Sequence, residues 1–344
     1  YHWSISRGGR NPLTEWRSLV HAWLLCRRIA PDMVNAITLK AVLYGGLAAR
    51  FSGRRVLGHL TGLGFVFISR GWLARLVRLG LRFFLPFIFN HGRNRLLVMN
   101  SDDQQLMAGH FGVKADHLVR VAGVGVDSDF FSPTFLLTEK HKPQRPLRVV
   151  TMARLLHDKG IVTFCRAAML VHGQMITKEE RGKKLLTKAM PPIEFFIYGD
   201  RDGQNPSGLS LAEVKELEKK YNTSGVRFMG HVADQRGALA AADVVVLWSR
   251  REGLPQVLAE AAALQKPLIA LDAPGSRAVC RHGRSGLLVS EDSAIALAWA
   301  LEKLLRDAGL RKKLGAGGRR LVLAELSQAI IHQKMLRLFY QMCA

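Results

Sequence analysis

Residues 244–272, VVVLWSRREGLPQVLAEAAALQKPLIALD, read as strand, turn, helix and strand. Residues 244–248 form a short, β-branched apolar run of the kind buried on both faces of a parallel sheet. Residues 249–255 are the turn, with Gly253 supplying backbone freedom and Pro255 suited to a helix's first turn. Residues 257–264 are good helix formers, and Pro267 ends the helix before a second apolar strand at 268–271. Strand, helix and parallel strand in one stretch predict an α/β protein.

Two carboxylates stand eight positions apart here, Glu252 and Glu260. If the segment is helical throughout, that is a rise of about 12 Å. The carboxylate pairs that hydrolyse glycosides lie about 5–9.5 Å apart, so the spacing argues against a hydrolase. It suits one acid facing each end of an elongated ligand, with exposed amides of Gly253 and Leu254 between them at the positive end of the helix, where a phosphate is held. An i, i+8 glutamate pair by itself is common on any solvated helix. The flanking EGLP and APG turns are what distinguish this one.

Residues 249–279, SRREGLPQVLAEAAALQKPLIALDAPGSRAV, resemble the E-x7-E region of the retaining glycosyltransferases of family 4. The resemblance implies the GT-B fold, two Rossmann-like domains facing across a cleft. It implies that Glu252 is the catalytic residue beside the donor sugar and that Glu260 hydrogen-bonds the nucleotide ribose. Gly253, Leu254 and Pro255 then fall at the donor diphosphate.

Length and composition agree with such a fold. A chain of 344 residues suits two domains of ordinary size. With 48% apolar and 22% charged residues it is a folded globular chain rather than a disordered one. The net charge of +23 implies an anionic partner, whether small-molecule phosphates, nucleic acid or an acidic membrane. The charge is spread along the chain and no nucleic-acid motif occurs, so nucleic acid is not the expected partner. Cys26, Cys165, Cys280 and Cys343 show neither C-x-x-C nor zinc spacing and read as reduced thiols in a cytoplasmic compartment. No signal peptide is expected. The chain opens on Tyr1 and the polar SISRGGRNP, without the buried strand and glycine turn that usually begin a parallel domain, so the first domain is expected to be incomplete at its start.

In the first domain, 1–135, helix and strand alternate: helices at 13–29 and 38–51, strands at 33–37, 56–61, 96–99 and 118–121, and a helix after the Asn100-Ser101-Asp102-Asp103 cap. Gly62 and Gly64 in TGLGFVF permit close backbone approach at a strand's carboxyl end, where open α/β sheets bind ligands; a tight turn without ligand is the plain alternative. PDMVNAITLKAVLYGGLAAR followed by TGLGFVF is similar to the branch of family 4 that builds bacterial surface polysaccharides on undecaprenyl-diphosphate carriers. That resemblance puts Gly62 and Gly64 on the acceptor side. Many family members carry a histidine in this turn; here no catalytic histidine is assigned, and His59 lies earlier, in the strand.

Residues 70–95, RGWLARLVRLGLRFFLPFIFNHGRNR, are basic and apolar together. Arg75, Arg78 and Arg82 share a helix face, while Trp72, Leu76, Leu79 and Phe83 line others. The unbroken apolar run is well short of the about 18–20 residues that cross a bilayer. A basic amphipathic helix with aromatics, from Arg70 to Arg95, reads as a membrane-surface element; a core helix with snorkelling arginines is the alternative. Asp127-Ser128-Asp129 spells D-x-D. It follows a glycine-rich turn rather than an apolar strand, and GVGVDSDFFSP resembles the segment that closes the GT-B N-terminal domain, so no metal is expected.

Residues 136–146 are a proline-containing linker. The second domain, 147–320, opens on the strand LRVVTMA. Arg154 and Lys159 follow it, spaced to grip a diphosphate from two directions; alone they would pass for surface charges, but the family has R-x4-K-G here as its diphosphate clamp. Residues 178–188 read as a solvated basic loop. Further strands are expected at 193–198, 226–229 and 285–289, with helices at 161–171, 211–221, 235–242 and 294–306. The resemblance assigns Gly230, His231 and Val232 to the nucleotide base. A last helix, 321–344, is expected to cross back to the first domain.

The expectation is a retaining, metal-independent and cofactor-free glycosyltransferase. It moves a hexose or N-acetylhexosamine from a UDP-sugar to a lipid-linked, undecaprenyl-diphosphate saccharide in polysaccharide, lipopolysaccharide or glycan synthesis. The enzyme is expected in the cytoplasm, peripherally on the inner membrane. UDP and the sugar class come from the resemblance. Alternatives are a UDP-sugar 2-epimerase of the same fold and a donor-binding fragment without full activity.

Overall fold

A computed structural model describes residues 2–3, 5, 11–68, 71–134, 145–173, 192–203 and 205–343. Arg70, the linker residues 136–144 and the basic stretch 178–188 therefore lie outside the described residues. The chain divides into two compact units, one of Tyr1–Val124, Arg251–Leu254 and Ala329–Ala344, the other of Gly125–Arg250 and Pro255–Gln328.

The first unit is built on helix α1 (Pro12–Ile29), strand β1 (Met33–Ile37), α2 (Leu39–Phe51), β2 (Arg55–Leu60), the single turn α3 (Phe65–Ile68), α4 (Trp72–Phe89), β3 (Arg95–Val98), α5 (Ser101–Gly109) and β4 (Leu118–Arg120). Its strands lie side by side in the order β1-β2-β3-β4, all parallel. Local chemistry sets the helix starts. Asn11 accepts a hydrogen bond from the Leu13 amide just ahead of Pro12, and Asn100 accepts one from the Asp103 amide. Alternate side chains serve the two faces of the sheet. Val56, Leu60, Leu96 and Val98 join Leu81, Leu85 and Ile88 of α4 in one core, while Leu57 and Leu97 point the other way. Pro86 sits inside α4 near its end, and the helix still runs on to Phe89.

The second unit comprises β5 (Leu147–Met152), α6 (Ile161–Val171), β6 (Ile193–Tyr198), α7 (Leu211–Tyr221), β7 (Val226–Gly230), α8 (Arg236–Ala241), β8 (Val244–Leu247), α9 (Gln256–Ala263), β9 (Leu268–Leu271), α10 (Ser276–Val279), β10 (Gly286–Val289), α11 (Ala294–Arg306) and α12 (Ala308–Leu321). Its parallel sheet has the order β10-β9-β8-β5-β6-β7. β8 and β9 are buried at every position, which is why both read as unbroken apolar runs. α7 starts on a reciprocal capping box between Ser210 and Glu213.

The C-terminal region corrects the single helix expected at 321–344. α12 already ends at Leu321, a π-helical turn spans Val322–Leu326, and Ser327 is extended. The final helix α13 is Gln328–Cys343. It belongs to the first unit, where Ile331, Leu338 and Met342 cover Leu57 and Leu97 on the sheet face opposite α4. α12 went unread in the sequence because its glycine-rich AGLRKKLGAGGRRL argues against a helix on propensity. Packing overrides that: a Cβ on Gly315 would come within 2.0 Å of the Gln265 carbonyl oxygen.

Candidate active site

The second unit's sheet reverses its strand order between β5 and β8, since β5-β6-β7 proceeds to one side and β8-β9-β10 to the other. Crevices outside the carboxyl ends of parallel strands at such a reversal are where open α/β sheets hold ligands. Arg154 and Lys159 follow β5, and Ser249 follows β8, so all three flank this point. Lys159 Nζ donates to Ser249 Oγ at 3.4 Å, which ties the two loops together.

The loop carrying Arg154 and Lys159 is held from outside. The Leu155 amide donates to the Asp200 carbonyl at 2.9 Å, and the His157 amide to the Ser207 carbonyl at 2.8 Å. Ser207 Oγ donates to Asp158 at 2.9 Å. Gly199 lies so close to the loop that a Cβ there would come within 1.9 Å of the Ala153 oxygen, which requires glycine at this turn. Arg154 donates to Asp202 at 2.6 Å, with about half of its side chain exposed. This carboxylate, 48 residues away, was not anticipated, and a phosphate gripped by Arg154 would have to compete with it.

A cavity of about 360 Å³ opens beside Arg154, lined by Tyr198, Asp200, His231, Val232, Gln235 and Val257 among others. Gly230 ends β7 with φ +69, and its carbonyl accepts the Gly199 amide at 2.8 Å. Gln235 donates to Glu260 at 2.5 Å, which sets Glu260 next to the same cavity. Glu260 is buried, and burial pushes its carboxyl up to about 7 against the lowering effect of hydrogen bonds from Gln256 and Gln235. Arg154, Lys159, Gly230, His231, Val232 and Glu260 thus belong to one end of one sheet. Gln235 is the site residue the sequence did not flag; it lies one position ahead of α8 and has no motif of its own.

The other half of the E-x7-E motif behaves differently. α9 begins only at Gln256, so Glu252 is outside the helix and a helical rise between the two glutamates does not apply. Arg251–Leu254 belong to the first unit, where Gly253 is buried. Asn100 Nδ2 donates to the Gly253 carbonyl at 2.7 Å and lies 3.4 Å from that of Glu252. Arg251 pairs with Asp103, whose side chain is fully buried, and stands 5.8 Å from the centre of the Phe67 ring. Burial raises the Asp103 carboxyl, opposed by Arg251 and Asn100. A Cβ on Gly253 would meet the Thr61 oxygen at 2.4 Å, and one on Gly62 would stand 3.7 Å from the Gly253 nitrogen. Gly62 therefore adjoins the EGLP loop, while Gly64 has open space around it. Asn100 was legible as a helix cap, but its second task, holding a segment about 150 positions away, carried no local signal.

Two further residues complete the account. His59, in β2, is half-buried, burial lowers its pKa, and its Nε2 has no hydrogen-bond partner among the described residues. Asp127 accepts from the amides of Asp129 and Phe130 at 3.1 and 2.9 Å, so the D-x-D tripeptide forms a side-chain-capped turn.

Two parallel α/β units with this topology define the GT-B class. Residues 146–307 match the family described as glycosyl transferases group 1. The chain is 26% identical over 348 positions to an N,N'-diacetylbacillosaminyl-diphospho-undecaprenol alpha-1,3-N-acetylgalactosaminyltransferase of Campylobacter jejuni, covering 98% of this chain and 84% of that one. It is 22% identical to the capsular polysaccharide biosynthesis glycosyltransferase CapM of Staphylococcus aureus, over 94% of this chain and 80% of that protein. Among solved structures, Anabaena Alr3699/HepE in complex with UDP superposes with a TM-score of 0.75 at 19% identity, over 94% of this chain and 82% of that one.

Proposed function

We propose that this protein is a retaining glycosyltransferase that moves a hexose or N-acetylhexosamine from a UDP-sugar to an undecaprenyl-diphosphate-linked saccharide. The observation that carries this reading is the convergence of Arg154, Lys159 and buried Glu260 at the strand-order reversal of one parallel sheet. Two cations and an acid able to accept ribose hydroxyls describe a sugar nucleotide. The Campylobacter relative's name, a transferase acting on an undecaprenol-linked diphosphate, supports the acceptor class and favours transfer over 2-epimerisation. The UDP in the Anabaena complex supports the nucleotide.

Negative charge grows on the diphosphate as the glycosidic carbon is released. Fixed cations aimed there lower the barrier by stabilising that charge. Lys159 serves as a point charge, and Arg154 exchanges Asp202 for phosphate oxygens. With Arg154 and Lys159 supplying positive charge and Asp127 committed to backbone amides, the reading is metal-independent. Glu252 is assigned to the donor sugar, Gly253, Leu254 and Pro255 to the diphosphate, and Gly62 and Gly64 to the acceptor side. Gly230, His231 and Val232 border the cavity assigned to the base.

Membrane association supplies access to a lipid-linked acceptor. α4 offers the surface. Ala74, Leu81, Leu85 and Ile88 are buried, yet Trp72, Leu76, Leu79 and Phe83, one stripe of the same helix, are 77, 57, 66 and 69% exposed. Arg75 and Arg82 flank the stripe and are exposed, while Arg78 donates to the Val66 carbonyl. An apolar stripe bordered by arginines lies in a membrane interface. No helix of the described residues is long and apolar enough to cross a membrane.

Calorimetry against a panel of sugar nucleotides tests the donor reading, with Glu260→Ala and Lys159→Ala as controls. UDP-sugars are expected to bind, and both substitutions to weaken them. Unchanged affinity in both variants ends the assignment.

A further inference from the structure

A second cationic cavity lies in the first unit, away from the glycine turn. It has a volume of about 410 Å³ and is lined by Arg50, Arg54, Arg55, His91, Arg93 and Asn94, with Gly53 and Gly92 between them. Arg50 closes α2, Arg55 opens β2, and the other groups come from the turns after α2 and α4. β2 runs from Arg55 to Leu60, and a strand rises about 3.3 Å per residue. The cavity is therefore about 20 Å from Gly62, at the opposite edge of the sheet.

No acidic residue lines this cavity. Among the described residues, none of the four arginines takes part in an ion pair. Arg55 is committed, donating to the carbonyls of Met342 and Cys343. Asn94 is committed too, accepting from the Val56 amide at 3.0 Å and donating to the Ile88 carbonyl at 2.7 Å. That leaves Arg50, Arg54 and Arg93. The Nε atoms of Arg50 and Arg54 are buried with no hydrogen-bond partner. Guanidinium groups gathered without a counter-charge repel one another, and their planar forks match phosphate oxygens.

The rim identifies the kind of phosphate. The Arg50 guanidinium lies 5.3 Å from the centre of the Phe87 ring. Phe87 in turn meets Phe51 at 5.9 Å, and these rings are 39 and 64% exposed. A soluble anion has no use for such a rim. An amphiphile does, and Phe87 continues along α4 into the exposed apolar stripe. We propose that this pocket receives the headgroup phosphate of an anionic membrane lipid, with Arg50, Arg54 and Arg93 as its ligands. The proposal rests on the membrane reading above and adds to it a defined phosphate site that the α4 face does not contain. Anionic leaflets attract basic groups in general; the pocket makes the attraction site-specific.

The test is vesicle flotation of the full chain, comparing phosphatidylglycerol-containing vesicles with pure phosphatidylcholine. The Arg54→Glu/Arg93→Glu protein is expected to lose at least tenfold in apparent affinity for the anionic vesicles, with unchanged thermal unfolding and UDP binding. Arg93→Glu alone, in an exposed turn, is expected to lose several-fold and carries the test if the double substitution unfolds the chain. Wild-type vesicle binding by the variants overturns the proposal. If Leu79→Glu/Phe83→Glu then abolishes binding, the membrane reading stands without the pocket; if the unaltered chain ignores anionic vesicles, both fall. Inorganic phosphate bound through Arg54 and Arg93, with vesicle binding indifferent to them, marks a soluble-anion site and overturns the lipid assignment.

Discussion

The two units dispose of their apolar residues in opposite ways. Among the described residues of the second unit only Phe130, Leu211, Met229, Trp299 and Leu323 are large, apolar and exposed. The first unit exposes several times as many, concentrated on α4 and α1, with Trp72, Phe83, Leu13 and Trp16 each more than 60% open. Similar parallel sheets are thus finished differently. In the second unit the covering helices turn few large apolar side chains outward, and the polar chemistry sits at the strand ends. The other leaves a large apolar surface, edged with arginines, of the kind that marks a docking face. Under the proposed function, the difference fits small-molecule chemistry in the second unit and contact with an amphipathic partner in the first.

The largest effect is expected at the buried pair in the first unit. Asp103→Ala removes one member of the buried ion pair with Arg251, a loss that costs about 3–5 kcal/mol. A large drop in the denaturant midpoint is expected. Asp103→Asn, which keeps the shape, is expected to cost less. An unchanged midpoint in Asp103→Ala would show that the pair does not secure the 251–254 segment.

In the second unit the counterpart is Glu260, whose carboxyl is pushed from 4.5 to about 7 by burial. The folded chain holds a proton there that the unfolded chain releases near 4.5. Stability associated with Glu260 is therefore full below that value and lost as pH rises to about 7, a decline of about 3 kcal/mol. Unfolding measured from pH 4.5 to 7.5 should show this decline relative to Glu260→Gln, in which it is absent. Nucleotide binding has the opposite sign. Ribose hydroxyls donate to the ionised form, so UDP affinity is expected to rise with pH up to about 7.

Glu260→Ala removes hydrogen bonds to a charged group, each worth about 1.5–3 kcal/mol, so a loss of ten- to a hundredfold in UDP affinity is expected by calorimetry. Lys159→Ala, through one point charge beside Ser249, should weaken UDP by about tenfold, with a dependence on salt. The smallest effect on stability is expected on the exposed face of α4. Leu79→Glu is expected to change unfolding by less than about 0.5 kcal/mol, because the side chain is already exposed. A large loss would mean that the α4 stripe supports the fold.

Much of the architecture was legible because it is local. LRVVTM, VVVL and LIAL announce buried strands, Asn100 announces a helix start, and the E-x7-E segment with R-x4-K-G carries the resemblance to the family. What stayed hidden depends on long separations: Asp202 on Arg154, Gln235 on Glu260, Asn100 and Asp103 on the EGLP loop. Such partners obey no spacing rule, since only the closed chain brings them within hydrogen-bond reach.

The amino-acid order determined the element types, the parallel α/β class and the candidate donor ligands, because periodicity, caps and motif spacing act over a few residues. Folding alone decided that the strand order reverses between β5 and β8, that Glu252 and Glu260 fall in different compact units, and that Arg50, Arg54 and Arg93 gather around one cavity. Those are facts of closure: which apolar faces cover each other selects the neighbours, and the neighbours then set every charge and buried carboxyl.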